Sequence, residues 1–209
     1  MNKSEKFWDM LSKNFDKRVK KYFEQNYIKT IENTKKYINV SDIVLDYACG
    51  TGLITIEIAD KVTKIYAIDI SSKMIVAAKR KAGERKIENI DFAQSTIFDD
   101  RLKRESFDVI LAFNVLHLVE DAQKVMQRIN ELLKPGGLII STTACMREKK
   151  SLINILVYLL IKTGVVPYIR FFKISELEDT IANGNFKIIG TEKLYDINQP
   201  LPFIVAKKV

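Results

Sequence analysis

A short apolar run followed by a glycine-rich turn constrains the fold of this chain more than any other feature. The run Ile43 to Tyr47 is apolar except for Asp46, and it leads into the turn Ala48 to Gly52 and then into a helical pattern from Leu53 to Lys61. Strand, tight glycine turn and helix in this order begin a βαβ unit. The chain is therefore predicted to build an open α/β sheet around this turn.

Strands and helices continue to alternate after the turn. The pattern predicts strands at 64–70, 90–94, 107–113 and 138–143, helices at 71–83, 122–133 and 175–182, and two closing strands at 186–192 and 203–207. Parallel strands joined by right-handed crossovers form a sheet with helices on both faces. We therefore predict a mainly parallel sheet whose ligand site lies beyond the carboxyl ends of its strands.

The length of 209 residues suits one domain, since single cores stop growing at about 250 to 300 residues. From Ser4 to Tyr37 apolar residues recur at steps of three and four, which predicts two amphipathic helices. We expect one domain with these parts: an N-terminal helical cap at 1–40, a ligand-binding core at 41–145, a helical lid insertion at 146–174, and a C-terminal helix with a strand hairpin at 175–209.

The segment Leu152 to Ile161 is apolar on nearly every side and is followed by Lys162, Gly164 and Pro167. It is too short to span a bilayer, which takes about 20 apolar residues. Two interpretations stay open. The segment is either a helix packed against the sheet or a lid that covers an apolar substrate or faces a membrane.

Composition narrows the class of protein. Cys49 and Cys145 are too few and too far apart for a disulfide framework, and we predict no metal site. The first residues lack the apolar core of a signal peptide, so a cytoplasmic location is expected. The net charge of +8 comes mostly from scattered lysines, which favours solvated surfaces and leaves an anionic partner such as nucleic acid or a membrane open.

Two carboxylates lie near the ends of neighbouring predicted strands. Asp46 precedes the turn that contains Gly50 and Gly52, and Asp69 lies near the end of the second strand. An acid at the end of the second strand can accept hydrogen bonds from both hydroxyls of a ribose. The glycines let a ligand approach the backbone, and the N-terminus of the next helix attracts a negative group. These residues predict a site for a ribose-containing cofactor.

The stretch Val44 to Gly52, together with Asp69, resembles the signature of class I S-adenosylmethionine-dependent methyltransferases. The resemblance is to the small-molecule group that contains the ubiquinone and menaquinone biosynthetic enzymes, and it runs from about Ser41 to Gly137. It implies a Rossmann-like, doubly wound α/β fold of seven mainly parallel strands, the last one antiparallel, with N-terminal helices and a helical insertion after strand five. It also implies S-adenosylmethionine as the cofactor and S-adenosylhomocysteine as its product.

The resemblance assigns cofactor contacts to particular residues. The glycine-rich loop would lie along the methionine part, Asp69 would hold the ribose, and Asp46 would pair with the amino group. The implied cofactor-binding residues are Asp46, Ala48, Gly50, Gly52, Asp69, Ile70, Met74, Ser95, Thr96, Asn114 and Leu116. Two of them depart from the family pattern, because Ala48 replaces a common glycine and Ser95 replaces an Asp that often contacts the adenine amino group.

The N-terminal aromatic residues Phe7, Trp8, Phe15 and Tyr22 are expected to pack the first helices together. The resemblance adds a second interpretation, since in many such enzymes these helices fold over the cofactor pocket. Aromatic faces there would suit a sulfonium cation or a hydrophobic acceptor.

The single histidine, His117, follows the fourth predicted strand at the rim of the expected substrate space. Its ordinary pKa of about 6.5 would let it accept a proton near neutral pH. Similar methyltransferases often have a histidine or an aromatic residue at this position. Both a catalytic and a purely structural role stay open for it.

These residues favour transfer of a methyl group to a small, apolar acceptor by in-line displacement. Alignment of the reactants and exclusion of water supply much of the acceleration, so no strong base is required. An RNA methyltransferase, or a basic cofactor-binding RNA or membrane module, is an alternative suggested by the charge. An NAD-dependent oxidoreductase fits less well, because its fingerprint needs Gly or Ala where this chain has Thr55.

Overall fold

A computed structural model describes residues 3–148, 152–163, 166–194 and 200–209 of the chain. Gly164, one of the residues that follow the apolar segment Leu152 to Ile161, lies outside these ranges. Within them, no helix combines the length and the apolar character needed to cross a bilayer. The division into a cap, a core, a lid and a C-terminal unit stays a prediction.

Seven strands form one sheet in the described residues. Their bounds are β1 Ile43–Tyr47, β2 Lys64–Asp69, β3 Ile90–Gln94, β4 Phe107–Phe113, β5 Leu133–Thr142, β6 Phe186–Leu194 and β7 Leu201–Lys208. Their order across the sheet is β3-β2-β1-β4-β5-β7-β6. Neighbouring strands are parallel except that β7 is antiparallel to β5 and to β6. The doubly wound sheet with an antiparallel last strand is therefore confirmed.

The α-helices of the described residues flank this sheet and precede it. Their bounds are α1 Lys3–Leu11, α2 Phe15–Tyr22, α3 Glu24–Thr34, α4 Thr55–Ile58, α5 Ser72–Glu84, α6 Ala122–Leu132, α7 Leu152–Lys162 and α8 Ile174–Ala182. Helix α5 begins where the sequence predicted, because the Ser71 hydroxyl accepts a hydrogen bond from the Met74 amide and caps it.

The prediction of two N-terminal helices was wrong, since three helices occupy this region. A single 3₁₀ turn, Ser12–Asn14, separates α1 from α2, and the Ser12 hydroxyl donates to the Asp9 carbonyl at 2.8 Å. Phe23, with φ of -135°, then separates α2 from α3. Ser and Asn favour such breaks because their side chains compete with the helix for backbone hydrogen bonds.

Strand β5 also begins earlier than predicted, directly after α6. Leu133 pairs with Phe107 and Leu138 pairs with Val109, so the intervening residues form an irregularity inside the strand. At Gly137 an added Cβ would lie 2.9 Å from the Asp108 carbonyl oxygen, which explains the need for glycine at this close approach.

The hydrophobic core lies on both faces of the sheet. Leu45 and Ile110 belong to the cluster on one face, which also contains residues of α6 and α8. Val44 and Val109 alternate with them and belong to the cluster on the other face. Burial from both sides fixes the carboxyl ends of β1, β2 and β4, where the polar residues of interest lie.

Candidate functional site

A cavity of about 580 Å³ lies at the carboxyl ends of β1, β2 and β4. Its wall is completed by residues of α1, α2 and α3 and by the segment that follows α7. This volume is typical of a small-molecule or cofactor site. The predicted site residues that line it are Asp46, Ala48, Gly50, Asp69, Ile70, Met74, Asn114 and His117.

Four predicted cofactor residues do not line the cavity. Gly52 lies in the turn with φ of 75°, and Leu116 is fully buried in the core. The Ser95 hydroxyl donates to an Asp99 carboxylate oxygen at 2.5 Å, and Thr96 is exposed beside it. Their contacts with a cofactor stay predictions.

The loop between β1 and α4 has a left-handed backbone at Ala48 and Gly50, with φ of 63° and 56°. For a residue with a Cβ, this conformation costs roughly 1–2 kcal/mol, which explains why glycine suits the position of Ala48. A Cβ added to Gly50 would lie 3.8 Å from the ring of Phe15 on α2. The loop therefore passes directly beneath a helix that the sequence had placed only as a possible cover.

Asp46 is buried, and the Thr55 hydroxyl donates to its Oδ2 atom at 2.5 Å. Burial raises the pKa of Asp46 to about 7, opposed by the hydrogen bond from Thr55 and reinforced by the charge of Asp69. Thr55 is itself fully buried. Thr55 occupies the position at which a dinucleotide fingerprint needs Gly or Ala. Its hydroxyl, which neither of those residues has, holds the carboxyl group of Asp46.

Asp69 accepts two backbone hydrogen bonds at the cavity wall. The Gly50 amide donates to Oδ2 at 2.9 Å, and the Ser71 amide donates to Oδ1 at 2.8 Å. Burial raises the pKa of Asp69, against the lowering effect of these amides. Because each carboxylate oxygen has two lone pairs, Asp69 keeps acceptor capacity for ligand hydroxyls while the loop holds it in place.

Two acids of the N-terminal helices bind the residues around the cavity, and the sequence interpretation missed them. The Asp9 carboxylate accepts from the Ser71 hydroxyl at 2.5 Å. The Asp16 carboxylate accepts from the Thr51 hydroxyl at 2.5 Å and from the Lys81 ammonium at 2.8 Å. The available signal was an acid, Asp9, among otherwise apolar positions and a second acid two helical turns later.

The N-terminal aromatic residues divide into two groups. Trp8 and Phe15 line the cavity, and Phe7 packs edge-on against Trp8 with ring centres 5.3 Å apart. Tyr22 lies outside the cavity lining and is exposed. Helices α1 and α2 thus place aromatic faces over the cavity, as the resemblance implied.

His117 lines the cavity, and among the described residues its Nδ1 atom has no hydrogen-bond partner. Its carbonyl accepts from the Arg170 amide at 2.7 Å, which fixes the backbone there. Burial lowers the pKa of His117 to about 4. With this lowered pKa the side chain is neutral at pH 7 and a weak base, and its catalytic role stays a prediction.

Several further residues of the cavity wall have no counterpart in the sequence prediction. Asn26 of α3 places a buried Oδ1 atom there, and this atom lacks a hydrogen-bond partner in the described residues. Arg18 is the cationic residue of the wall, whereas most of the remainder is apolar. Apolar and aromatic residues of the wall include Leu11, Phe23, Leu118, Val119, Pro167 and Tyr168.

Comparison with known proteins gives relatives in sequence and in structure. Residues 38–195 match the family model of the methyltransferase domain. The chain is 28% identical over 150 residues to ubiquinone biosynthesis O-methyltransferase of Coxiella burnetii, across 70% of this chain and 64% of that protein. A SAM-dependent methyltransferase from Methanosarcina mazei superposes with a TM-score of 0.70 at 20% identity, over 84% of this chain and 96% of the other. The cyclase SpnF superposes with a TM-score of 0.73 at 18% identity, over 86% and 80% of the two chains.

The two solved structures are named for different reactions, so the likeness to them establishes the fold alone. The chain spans slightly less than two thirds of the Coxiella enzyme, at 64% of its length. The family model, in contrast, matches well over half of this chain and includes β1 to β6. The chain therefore belongs to the methyltransferase domain family.

Proposed function

We propose that this protein is an S-adenosylmethionine-dependent methyltransferase that acts on a small, largely apolar acceptor. The observation that carries the proposal is the placement of Asp46 and Asp69 on the wall of one cavity, with the left-handed loop at Gly50 between them. One ligand that carries both a ribose and an amino group matches these two acids. Membership of the methyltransferase domain family supports the same conclusion.

The residues present fit this cofactor. Gly50 has no Cβ to occupy the space above the loop, and its amide donates to Asp69, which holds that carboxylate at the cavity wall where a ribose would meet it. The amino cation of the methionine part would favour the ionised form of Asp46. Met74 and Ile70 offer the apolar surface that an adenine ring needs.

When bound, the cofactor supplies an activated methyl group on a sulfonium centre. The chain has to hold the acceptor in line with that group and to exclude water. Trp8 and Phe15 contribute aromatic surface over the cavity, which excludes water and suits a sulfonium cation. The neutral imidazole of His117 can accept a hydrogen bond through Nδ1 from a hydroxyl of the acceptor, although its low pKa makes it a poor base.

We further propose that the methylated atom is the oxygen of an apolar aromatic acceptor. The largely apolar wall of the cavity supports this choice, as does the name of the Coxiella relative, an O-methyltransferase of ubiquinone biosynthesis. The apolar groups would pack against Phe23 and Leu118, while polar atoms would meet His117 or Asn26.

Transfer of a labelled methyl group from S-adenosylmethionine to an alkyl catechol tests the proposal. We expect incorporation at an oxygen, with no incorporation into the matching dimethyl ether, whose oxygens are blocked. Labelled product should fall at least tenfold in Asp69→Ala. Transfer to RNA instead of to the catechol series would contradict the small-molecule assignment.

A further inference from the structure

Helix α7 exposes apolar side chains that a packed helix would hide. Leu156, Tyr158 and Leu159 are 57%, 50% and 54% exposed. The helix has one charged residue, Lys162, at its end, and the Lys162 ammonium lies 4.9 Å from the centre of the Tyr158 ring. An apolar exposed helix with a cation at its border is typical of a surface that meets another apolar phase.

Helix α2 presents cations next to exposed aromatic rings. Lys17, Arg18, Lys20 and Lys21 are all exposed, and no ion pair joins them to a carboxylate within the described residues. The next two residues, Tyr22 and Phe23, are 63% and 52% exposed. The Lys21 ammonium lies 5.0 Å from the centre of the Tyr22 ring.

Both helices adjoin the wall of the same cavity. Arg18 and Phe23 line it from the side of α2. Pro167 and Tyr168, which follow α7, line it as well, and Tyr168 is partly exposed. The wall of one cavity thus includes residues of or next to α2, which carries the cations, and residues that follow α7, which carries the exposed apolar groups.

We propose that these residues form a docking surface for an anionic lipid bilayer, from which an apolar acceptor enters the cavity. The docking surface consists of Lys17, Arg18, Lys20, Lys21, Tyr22, Phe23, Leu156, Tyr158 and Leu159. The surface charge of an anionic bilayer attracts such cations, and aromatic rings favour the level of the headgroups. Only the role of the acceptor rests on the proposed methyltransferase function; the docking itself does not depend on it.

Charge and side-chain type favour a bilayer over other partners. A nucleic acid would meet the cations of α2 and would find Tyr22, Phe23 and Tyr158 to stack on, but it would leave the aliphatic side chains of Leu156 and Leu159 exposed to water. A second copy of the chain, related by a twofold axis through this surface, would bring the cations of two α2 helices together. A bilayer with anionic headgroups satisfies both the cations and the apolar side chains.

Sedimentation with lipid vesicles tests the docking surface. The full chain is mixed with vesicles of equimolar phosphatidylglycerol and phosphatidylcholine, and separately with vesicles of phosphatidylcholine alone. We expect binding to the anionic vesicles that weakens at least tenfold in Leu156→Ser/Leu159→Ser and in Lys20→Glu/Lys21→Glu. Matched controls are Val76→Ser and Lys79→Glu/Lys187→Glu, which change exposed residues outside the docking surface and should bind as the wild type does.

Thermal melting of each variant shows whether it is folded, and titration with S-adenosylhomocysteine reports the cofactor site separately. Vesicle binding without cofactor binding would retain the docking surface and reject the methyltransferase function. Absence of binding to anionic vesicles, or equal losses in the control variants, would overturn the docking proposal. So would tighter binding to a single-stranded RNA than to the vesicles, or a dimer in gel filtration that the Leu156→Ser/Leu159→Ser variant dissociates.

Discussion

The helices α1 and α2 and the helix α7 flank one cavity but are attached in opposite ways. The first two are held by buried or partly buried carboxylates, with Asp9 bound to Ser71 and Asp16 bound to Thr51. On α7, the side chains of Leu156 and Leu159 are exposed instead. Hydrogen bonds to charged groups hold two elements in a fixed geometry. Exposed apolar side chains instead favour contact with another apolar surface, and this contact is not directional. We infer from this difference that hydrogen bonds fix α1 and α2 against the residues around the cavity, whereas the exposed side of α7 is available to an apolar partner.

Among the substitutions that test this contrast, Asp69→Ala should have the largest effect on cofactor affinity. The variant should bind S-adenosylhomocysteine at least tenfold more weakly, a loss of about 1.4 kcal/mol or more. It lacks the carboxylate that would accept hydrogen bonds from the ribose and that accepts one from the Gly50 amide. Calorimetric titration measures the change, with the exposed Asp60→Ala as the control variant. Equal affinity in a folded Asp69→Ala protein would remove the ribose assignment.

The raised pKa of Asp46 predicts that cofactor affinity depends on pH. Below its pKa of about 7 the free protein has a protonated Asp46 and must release the proton to pair with an amino cation, which weakens binding. Above that pKa no such cost arises, so affinity for S-adenosylhomocysteine should rise about tenfold from about pH 6 to about pH 8. The Asp46→Asn variant should lose this dependence, and a wild-type affinity that stays constant with pH would contradict the pairing.

The same shift has a consequence for folding. The pKa of Asp46 is raised in the folded state above its unfolded value of about 3.9, so its contribution to stability is greatest at low pH and is lost as pH rises towards about 7. Relative to Asp46→Asn, the free energy of unfolding of the wild type should fall over this interval. Urea denaturation at several pH values measures the free energy of unfolding of both proteins. If the wild type gained stability relative to Asp46→Asn as the pH rose, the raised pKa of Asp46 would be contradicted.

A paired comparison tests the different attachment of the two flanks. Asp16→Ala removes hydrogen bonds to Thr51 and Lys81, so it should weaken S-adenosylhomocysteine binding about fivefold, or ~1 kcal/mol. Leu156→Ser should leave that affinity unchanged, because Leu156 is exposed and is absent from the cavity wall formed by the described residues. Calorimetry measures both affinities, and a larger loss in Leu156→Ser than in Asp16→Ala would contradict the different attachment of the two flanks.

The smallest expected effect comes from Ala48→Gly. Glycine relieves the left-handed backbone at φ of 63° but gives the unfolded chain more freedom, so the free energy of unfolding should rise by at most ~1 kcal/mol. Thermal unfolding measures the change, with Ala77→Gly within α5 as a control that should destabilise the protein. A destabilised Ala48→Gly protein would show that the Ala48 side chain contributes packing that outweighs its backbone strain.

The features that the sequence predicted correctly are those that local patterns determine. The order of strands, the Ser71 cap and the position of Asp46 and Asp69 at strand ends follow from periodicity, turns and the geometry of parallel sheets. The break at Ser12 was missed because a helical period runs through it, and a side-chain hydrogen bond interrupts the helix in spite of that period.

The parts of the site that the sequence did not predict depend on distant segments meeting. The bond from Thr51 to Asp16 joins residues that only the tertiary fold brings together. The pKa of His117 is set by burial under neighbouring segments, which no single residue type encodes. Asn26 gave no signal for the same reason, since an asparagine on an amphipathic helix is usually a surface residue.

Calorimetric titration with S-adenosylhomocysteine, with a nicotinamide dinucleotide as the control ligand, tests the proposed methyltransferase most directly. We predict saturable binding of S-adenosylhomocysteine that Asp69→Ala weakens, and no binding of the dinucleotide. If the folded protein bound neither ligand, or bound only the dinucleotide, the left-handed loop and Asp69 would be features of the scaffold, and the proposal of a methyltransferase would be contradicted.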